Sequence, residues 1–202
     1  MMKVAWDVSH SEFAVKDHYY YSKLMEYAAK EGLNIEEIDD LRVIDEYDVL
    51  VINYPEEKFS DNEARIVEAF VKRGGILIVL AYYENKDDSA RASTSLSKNF
   101  GVKFNEDKIT SESSGDNEYI IITSKVKKFN RDVERVLIPC PCSVNGGNYF
   151  VFEEKKEIPI FSYIRCGKGI AVFGGSCAFW DNHSIDRESN KNFSMNLLKG
   201  LV

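Results

Sequence analysis

The chain is 202 residues long, with 44% hydrophobic and 29% charged side chains and a formal net charge of -7. That length fits one domain with a sizeable core, and the acidic balance argues against nucleic acid or an anionic membrane as partner, since phosphates would be repelled. No apolar run approaches bilayer-spanning length, and the start "MMKVAWDVSH" meets charge too early for a signal peptide. Four cysteines (Cys140, Cys142, Cys166, Cys177) are too few for a disulfide scaffold. A cytoplasmic protein with free thiols is the expectation.

"KVAWDV" (3–8) reads as a first strand. Residues 19–31 follow with helical spacing, Tyr21, Leu24, Met25 and Ala28 forming one stripe. Tyr19, Tyr20 and Tyr21 are too many aromatics for one buried face, so at least one is expected outside. "DVLVIN" (48–53) is nearly continuous apolar sequence, as in a strand covered on both faces. Ser60 and Glu63 then make a capping box, Ile66, Val67, Phe70 and Val71 supply the helix's inner stripe, and "RGG" (73–75) stops it. "ILIVLAYY" (76–83) is the next buried strand. Strands alternating with helices at this spacing predict parallel βαβ units.

A weaker helix is expected over 89–100, with Leu96 and Phe100 inward. Beyond Gly101 come short strand-like runs, "VKFN", "YIIIT", "RVLIP", "YFVFEE" and "IPIFSYI", with a long polar turn at 111–118. "SYIRCGKGIAVFG" (162–174) reads as a hairpin around Gly167 and Gly169. A closing helix over about 188–201 would bury Phe193, Leu197, Leu198 and Leu201. The β-rich second half is expected to join the first half's sheet, making residues 1–202 one α/β domain.

In open α/β sheets ligands bind outside the carboxyl ends of the strands. The groups expected there are Asp7, Ser9 and His10 after the first strand, Asn53 and Tyr54 after the next apolar run, Tyr82 and Tyr83 after "ILIVLA", and Ser176, Cys177 and Asp181 after "AVFGG". Of these, Asp7, Ser9, His10, Asn53, Tyr54, Tyr82, Ser176 and Asp181 form the candidate ligand-binding set; the competing reading is that they cap turns. Asp7, Ser9 and His10 stand too close in sequence for a Ser-His-Asp triad, which needs the imidazole between the other two. A rival reading gathers Asp7, His10, Asp181 and His183 around a divalent ion with an open water position, the kit of a metal-assisted hydrolase. The cysteines lack the two close pairs of a structural zinc site, and neither glycine pair has a phosphate-binding fingerprint. No cofactor is expected.

Four stretches resemble the GIFT-domain family, found in an intraflagellar-transport scaffold subunit and in proteins accompanying gliding-motility ABC transporters. They are "WDVSHSEF" (6–13), "PEEKFSDNEARIVEAFVKRGGILIVL" (55–80), "TSLSKNFGVKFNEDKIT" (94–110) and "GKGIAVFGGSCAFWDNHSIDRESNKNFSMNLLKGL" (167–201). The resemblance implies a Rossmann-like α/β fold, flavodoxin-like and related to class I glutamine amidotransferases, with a mostly parallel sheet flanked by helices. It also bears on catalysis. Amidotransferases carry a nucleophilic cysteine after the strand that "ILIVLAYY" matches, and the turn here reads Ala81-Tyr82-Tyr83-Glu84. His183 has no nucleophile to serve. A non-catalytic module binding a partner protein or a small polar ligand such as a sugar is therefore the leading expectation. The Ile-, Lys- and Glu-rich composition points to an archaeal source.

Overall fold

The computed structural model describes residues 1–111 and 117–202; the long polar turn expected at 111–118 falls mostly outside them. Its centre is a seven-stranded sheet. Five strands are parallel: β1 (Met2–Asp7), β2 (Leu33–Ile38), β3 (Val49–Asn53), β4 (Ile76–Leu80) and the late strand β11 (Gly169–Gly174). The order is β2-β1-β3-β4-β11, continued by the antiparallel β10 (Pro159–Cys166) and β9 (Asn148–Phe152). Every residue of β3 and β11 is buried, as their unbroken apolar sequence requires of strands covered on both faces. Gly167 turns the β10–β11 hairpin at φ +60.

Strand alternation sorts the core into two layers. Val4 and Trp6 of β1 and Val49 and Val51 of β3 pack under α1 (His18–Lys30) and α4 (Asn190–Leu198). Ala5 of β1 with Leu50 and Ile52 of β3 pack under α2 (Asp61–Arg73) and α3 (Ser89–Ser97). Helix α2 begins with the expected capping box: Glu63 N–H donates to Ser60 Oγ while Ser60 N–H donates to Glu63 Oε2 at 2.7 Å. Gly74, at φ +131, ends it.

Several expectations need correction. Strand β2 was not foreseen, because Glu36 and Glu37 interrupt its alternation; at the sheet's edge those acids reach water, and they also discourage edge-to-edge pairing. Only part of the second half joins the main sheet. The remaining strands make two separate two-stranded ladders, β5 (Lys103–Phe104) with β8 (Val144–Asn145) and β6 (Ile120–Thr123) with β7 (Val136–Pro139). Met25, Ile66 and Leu201 are half-buried rather than core, and α4 stops at Leu198. Of the three tyrosines, Tyr21 is buried, Tyr20 half-buried and Tyr19 exposed.

Candidate functional site

The strand order reverses at β1, with β2 on one side and β3 on the other. That switch point leaves a crevice at the carboxyl ends where connections diverge. Its residues divide between the two faces of the sheet. Trp6 and Asn53 follow the parity of Val4 and Val51 toward α1, whereas Asp7 follows Ala5 toward α2. One expected rim is therefore two sites.

On the α2 side lies an acidic cluster. Asp7 is fully buried, and its Oδ1 accepts from Ser9 Oγ at 2.7 Å and Ser9 N–H at 3.2 Å. His10 Nδ1 lies 3.2 Å from Asp7 Oδ2 and 2.9 Å from Ser9 Oγ. The imidazole stacks on Phe59, ring centres 3.8 Å apart, and its Nε2 faces Glu63 Oε1 at 3.5 Å. Glu12, two residues on, folds its carboxylate back beneath the histidine. Oε2 accepts His10 N–H at 2.7 Å, and Oε1 stands 4.0 Å from His10 Nδ1. Burial first, and then the charge of Asp7, pushes the Glu12 carboxyl up to about 8. For His10, burial alone would lower the pKa; the bond to Asp7 and the charges of Asp7, Glu12 and Glu63 reverse this, and the net direction is upward. Ser9 and Glu63 open on a surface pocket of about 510 Å³ that also includes Asp39 and Asp40.

On the α1 side lies an aromatic cleft of about 300 Å³. Tyr54 leaves β3 at φ +64, an uncommon conformation for a residue with a side chain. Its ring packs against Phe13 (5.1 Å) and Tyr82 (5.7 Å), and its hydroxyl donates to Asp87 Oδ2 at 2.6 Å. Tyr20, Tyr21, Lys86, Cys177, Ala178 and Asp181 complete the walls. Burial, followed by hydrogen bonding to Asp87 and to Cys140 respectively, raises the pKa of Tyr54 and Tyr82, so both keep their protons. Burial raises the Cys177 thiol and Asp181 as well. The loop after β11 folds across the strand ends. Trp180 packs on Trp6 (5.4 Å) and donates through Nε1 to Asn53 Oδ1 at 3.1 Å.

Of the expected ligand-binding residues, Asp7, Ser9 and His10 meet in the acidic cluster, and Tyr54, Tyr82 and Asp181 line the aromatic cleft. Asn53 and Ser176 line neither. Asn53 bridges Tyr21 and Trp180, and Ser176 Oγ donates to the Pro139 carbonyl. Of the alternative metal set, Asp7 and His10 come together. Among the described residues the grouping with metal-ligand spacing is Asp7, His10 and Glu12, without Asp181 or His183. Asp181 instead accepts from His183 N–H and Ser184 N–H, and His183 is exposed against Tyr19. Sequence reasoning missed Glu12, Phe13, Tyr20 and Asp87. For Glu12 a signal existed, an acid two residues after His10 in the same loop.

No protein-family model matches the chain. A relative from Aquifex aeolicus strain VF5, named only as an uncharacterised protein, is 34% identical over 226 aligned positions, spanning 98% of this chain and 93% of its own length. The chain belongs to that protein's family. The relative is bacterial, so the archaeal expectation finds no support. Among solved structures, the N-terminal domain of mmIFT52 superposes with a TM-score of 0.81 at 13% identity, covering 98% of this chain and 96% of that domain. This is the fold that the GIFT-domain resemblance led one to expect. A cytoplasmic protein of Salmonella typhimurium superposes at 0.66, also at 13% identity, over 100% of this chain and 99% of its own. At such identities the likeness is one of fold alone.

Proposed function

We propose that the protein is a non-catalytic binding module whose aromatic cleft takes a small polar ligand, free or displayed by a partner protein. The observation that carries this reading is the cleft at the strand ends, walled by Phe13, Tyr20, Tyr54 and Tyr82 with Asp87 and Asp181 at its margins. Ligand pockets combine an apolar, aromatic lining with a few fixed polar groups. A sugar ring suits that combination, with C–H faces for the tyrosines and hydroxyls for the carboxylates. Against catalysis in the cleft, Cys177 is held as a thiol by burial, and thiolate is the nucleophilic form. The rival hydrolase built on Asp7, His10, Asp181 and His183 has less behind it, since the grouping with metal-ligand spacing holds only the first two of them.

The fold shared with mmIFT52 favours a partner protein as the context in which the cleft works. We further propose that residues 1–202 act as one unit, of amidotransferase-like ancestry, in the cytoplasm. No helix among the described residues is long and apolar enough to cross a membrane.

Thermal unfolding with a panel of mono- and oligosaccharides, on the wild type and on Tyr82→Ala, tests the reading. A ligand at a hundred times its dissociation constant adds about 2.7 kcal/mol of stability, which the variant should abolish. A flat sugar panel, together with a pull-down in which wild type and Tyr82→Ala recover the same proteins, would count against the cleft.

A further inference from the structure

Two buried carboxylates beside one imidazole form an expensive arrangement, because each ion taken from water must find a compensating charge. The local hydrogen bonds account for most of the cluster. Asp7 is held by Ser9 and faces His10, and one Glu12 oxygen caps the His10 N–H. The other does not fit this account. Glu12 Oε1 has no hydrogen-bond partner, although the Glu12 side chain is fully withdrawn from solvent, and it faces the His10 ring. In the ionised form this oxygen is a buried acceptor without a donor, which is destabilising, and it points at the spot that Asp7 and His10 also face.

We propose that Asp7, His10 and Glu12 bind a divalent first-row transition-metal ion. Two measured distances fit, and the third is bounded. Ligands of a tetrahedral ion with bonds near 2.1 Å stand about 3.4 Å apart, and in six-coordinate geometry roughly 3.0 to 4.2 Å. His10 Nδ1 lies 3.2 Å from Asp7 Oδ2 and 4.0 Å from Glu12 Oε1, and all three ligand atoms fall within 4.8 Å of one another. The outer groups also fit. A metal-bound imidazole donates its second N–H to a carboxylate, and Glu63 Oε1 waits 3.5 Å from His10 Nε2. Glu63 is itself fixed by the α2 capping box, and Phe59 fixes the ring plane. Ser9 Oγ, 2.9 Å from Nδ1, stands close enough to complete the coordination shell. The pocket above, which Ser9 and Glu63 share, is lined by Asp39 and by Asp40 in its ion pair with Arg42. Two oxygens and one nitrogen select manganese- or zinc-class ions rather than the thiophilic ones.

The test uses Mn²⁺ as probe, because it discriminates against the four cysteines. Calorimetric titration of the chelator-treated full chain should give one site. Affinity should fall at least about a hundredfold in His10→Ala and in Glu12→Gln, about tenfold in Glu63→Gln, and should not change in His183→Ala. Histidine-labelled NMR spectra guard against variants that fail to fold. The protein has three histidines, and paramagnetic Mn²⁺ should broaden the His10 ring signals while sparing His18 and His183. Absence of a saturable site, binding that survives Glu12→Gln, or broadening of His183 in place of His10 would overturn the assignment.

Discussion

Asn53 occupies a position where an apolar side chain would continue the β3 pattern, yet it is a polar hinge pin. Its amide donates to Tyr21 Oη at 2.9 Å and accepts from Trp180 Nε1 at 3.1 Å, with no access to solvent. Replacing it with alanine strands two buried polar groups, each costing about 1–3 kcal/mol. We expect Asn53→Ala to lose about 3 kcal/mol in urea unfolding; a loss below about 1 kcal/mol would show that water substitutes for the amide. Asp181 gives a pH signature. Burial holds its pKa above the ordinary 3.8, so the folded state favours the protonated form. Its favourable contribution is present below about pH 3.8 and is lost as pH rises through the folded pKa. Asp181→Asn should therefore raise the melting temperature at pH 7, and the difference should vanish near pH 3.5. A variant less stable than wild type at pH 7 would mean that the charged bonds to His183 and Ser184 outweigh burial.

At the scale of elements, the capping box and the glycine turn after β11 define the architecture around the clusters. Ser60→Ala should cost about 1 kcal/mol, the usual value of an N-cap, and should loosen Glu63 as well, since Ser60 N–H and Oγ both hold that carboxylate. Gly175 marks the closest approach of the β11 loop to the segment around Cys142: a Cβ there would stand 1.9 Å from the Cys142 carbonyl oxygen, the same peptide region whose N–H donates to Gly175 O. Gly175→Ala must move backbone rather than a flexible side chain. A loss of about 2–3 kcal/mol is expected, measured by the same urea titration. A neutral result would mean that the 140–143 segment shifts freely.

For the whole molecule, burial of the strands forecasts how stability is distributed. Central β3 and β4 have neighbours on both sides and helices on both faces, whereas β2 is an edge with one neighbour and β9 has beyond it only the short bridge of Val126 to Val151. Amide hydrogen exchange should be slowest in β3, β4 and the parallel part of β11, and faster in β2 and β9 by orders of magnitude. Uniform protection would indicate that the sheet opens only as a unit. The central strands were also the legible ones. A strand buried on both faces must be written as a near-continuous apolar run, and "DVLVIN" and "ILIVLAYY" are such runs. Strand β2 and the two-residue β8 escaped because half-exposed or very short strands impose little pattern on the sequence, whereas β5, β6 and β7 fall on "VKFN", "YIIIT" and "RVLIP" and only their separation from the main sheet was not legible.

The sequence by itself determined the alternation of strands and helices, the Ser60–Glu63 cap, the glycine stops and the end of the sheet where Asp7, Ser9, His10 and Tyr54 gather. Each depends on neighbours within a few residues, where spacing alone decides which groups can meet. Only the tertiary structure decided that this edge divides in two. Strand parity turns Asp7 toward α2 and Asn53 toward α1, and the β11 loop brings Trp180 across to Asn53 over a sequence separation of 127 residues. It also decided that the histidine's carboxylate partners are Asp7, Glu12 and Glu63 rather than Asp181. Such choices depend on which face a side chain leaves and which element packs there, and they are settled only when the sheet and its helices close around a common core.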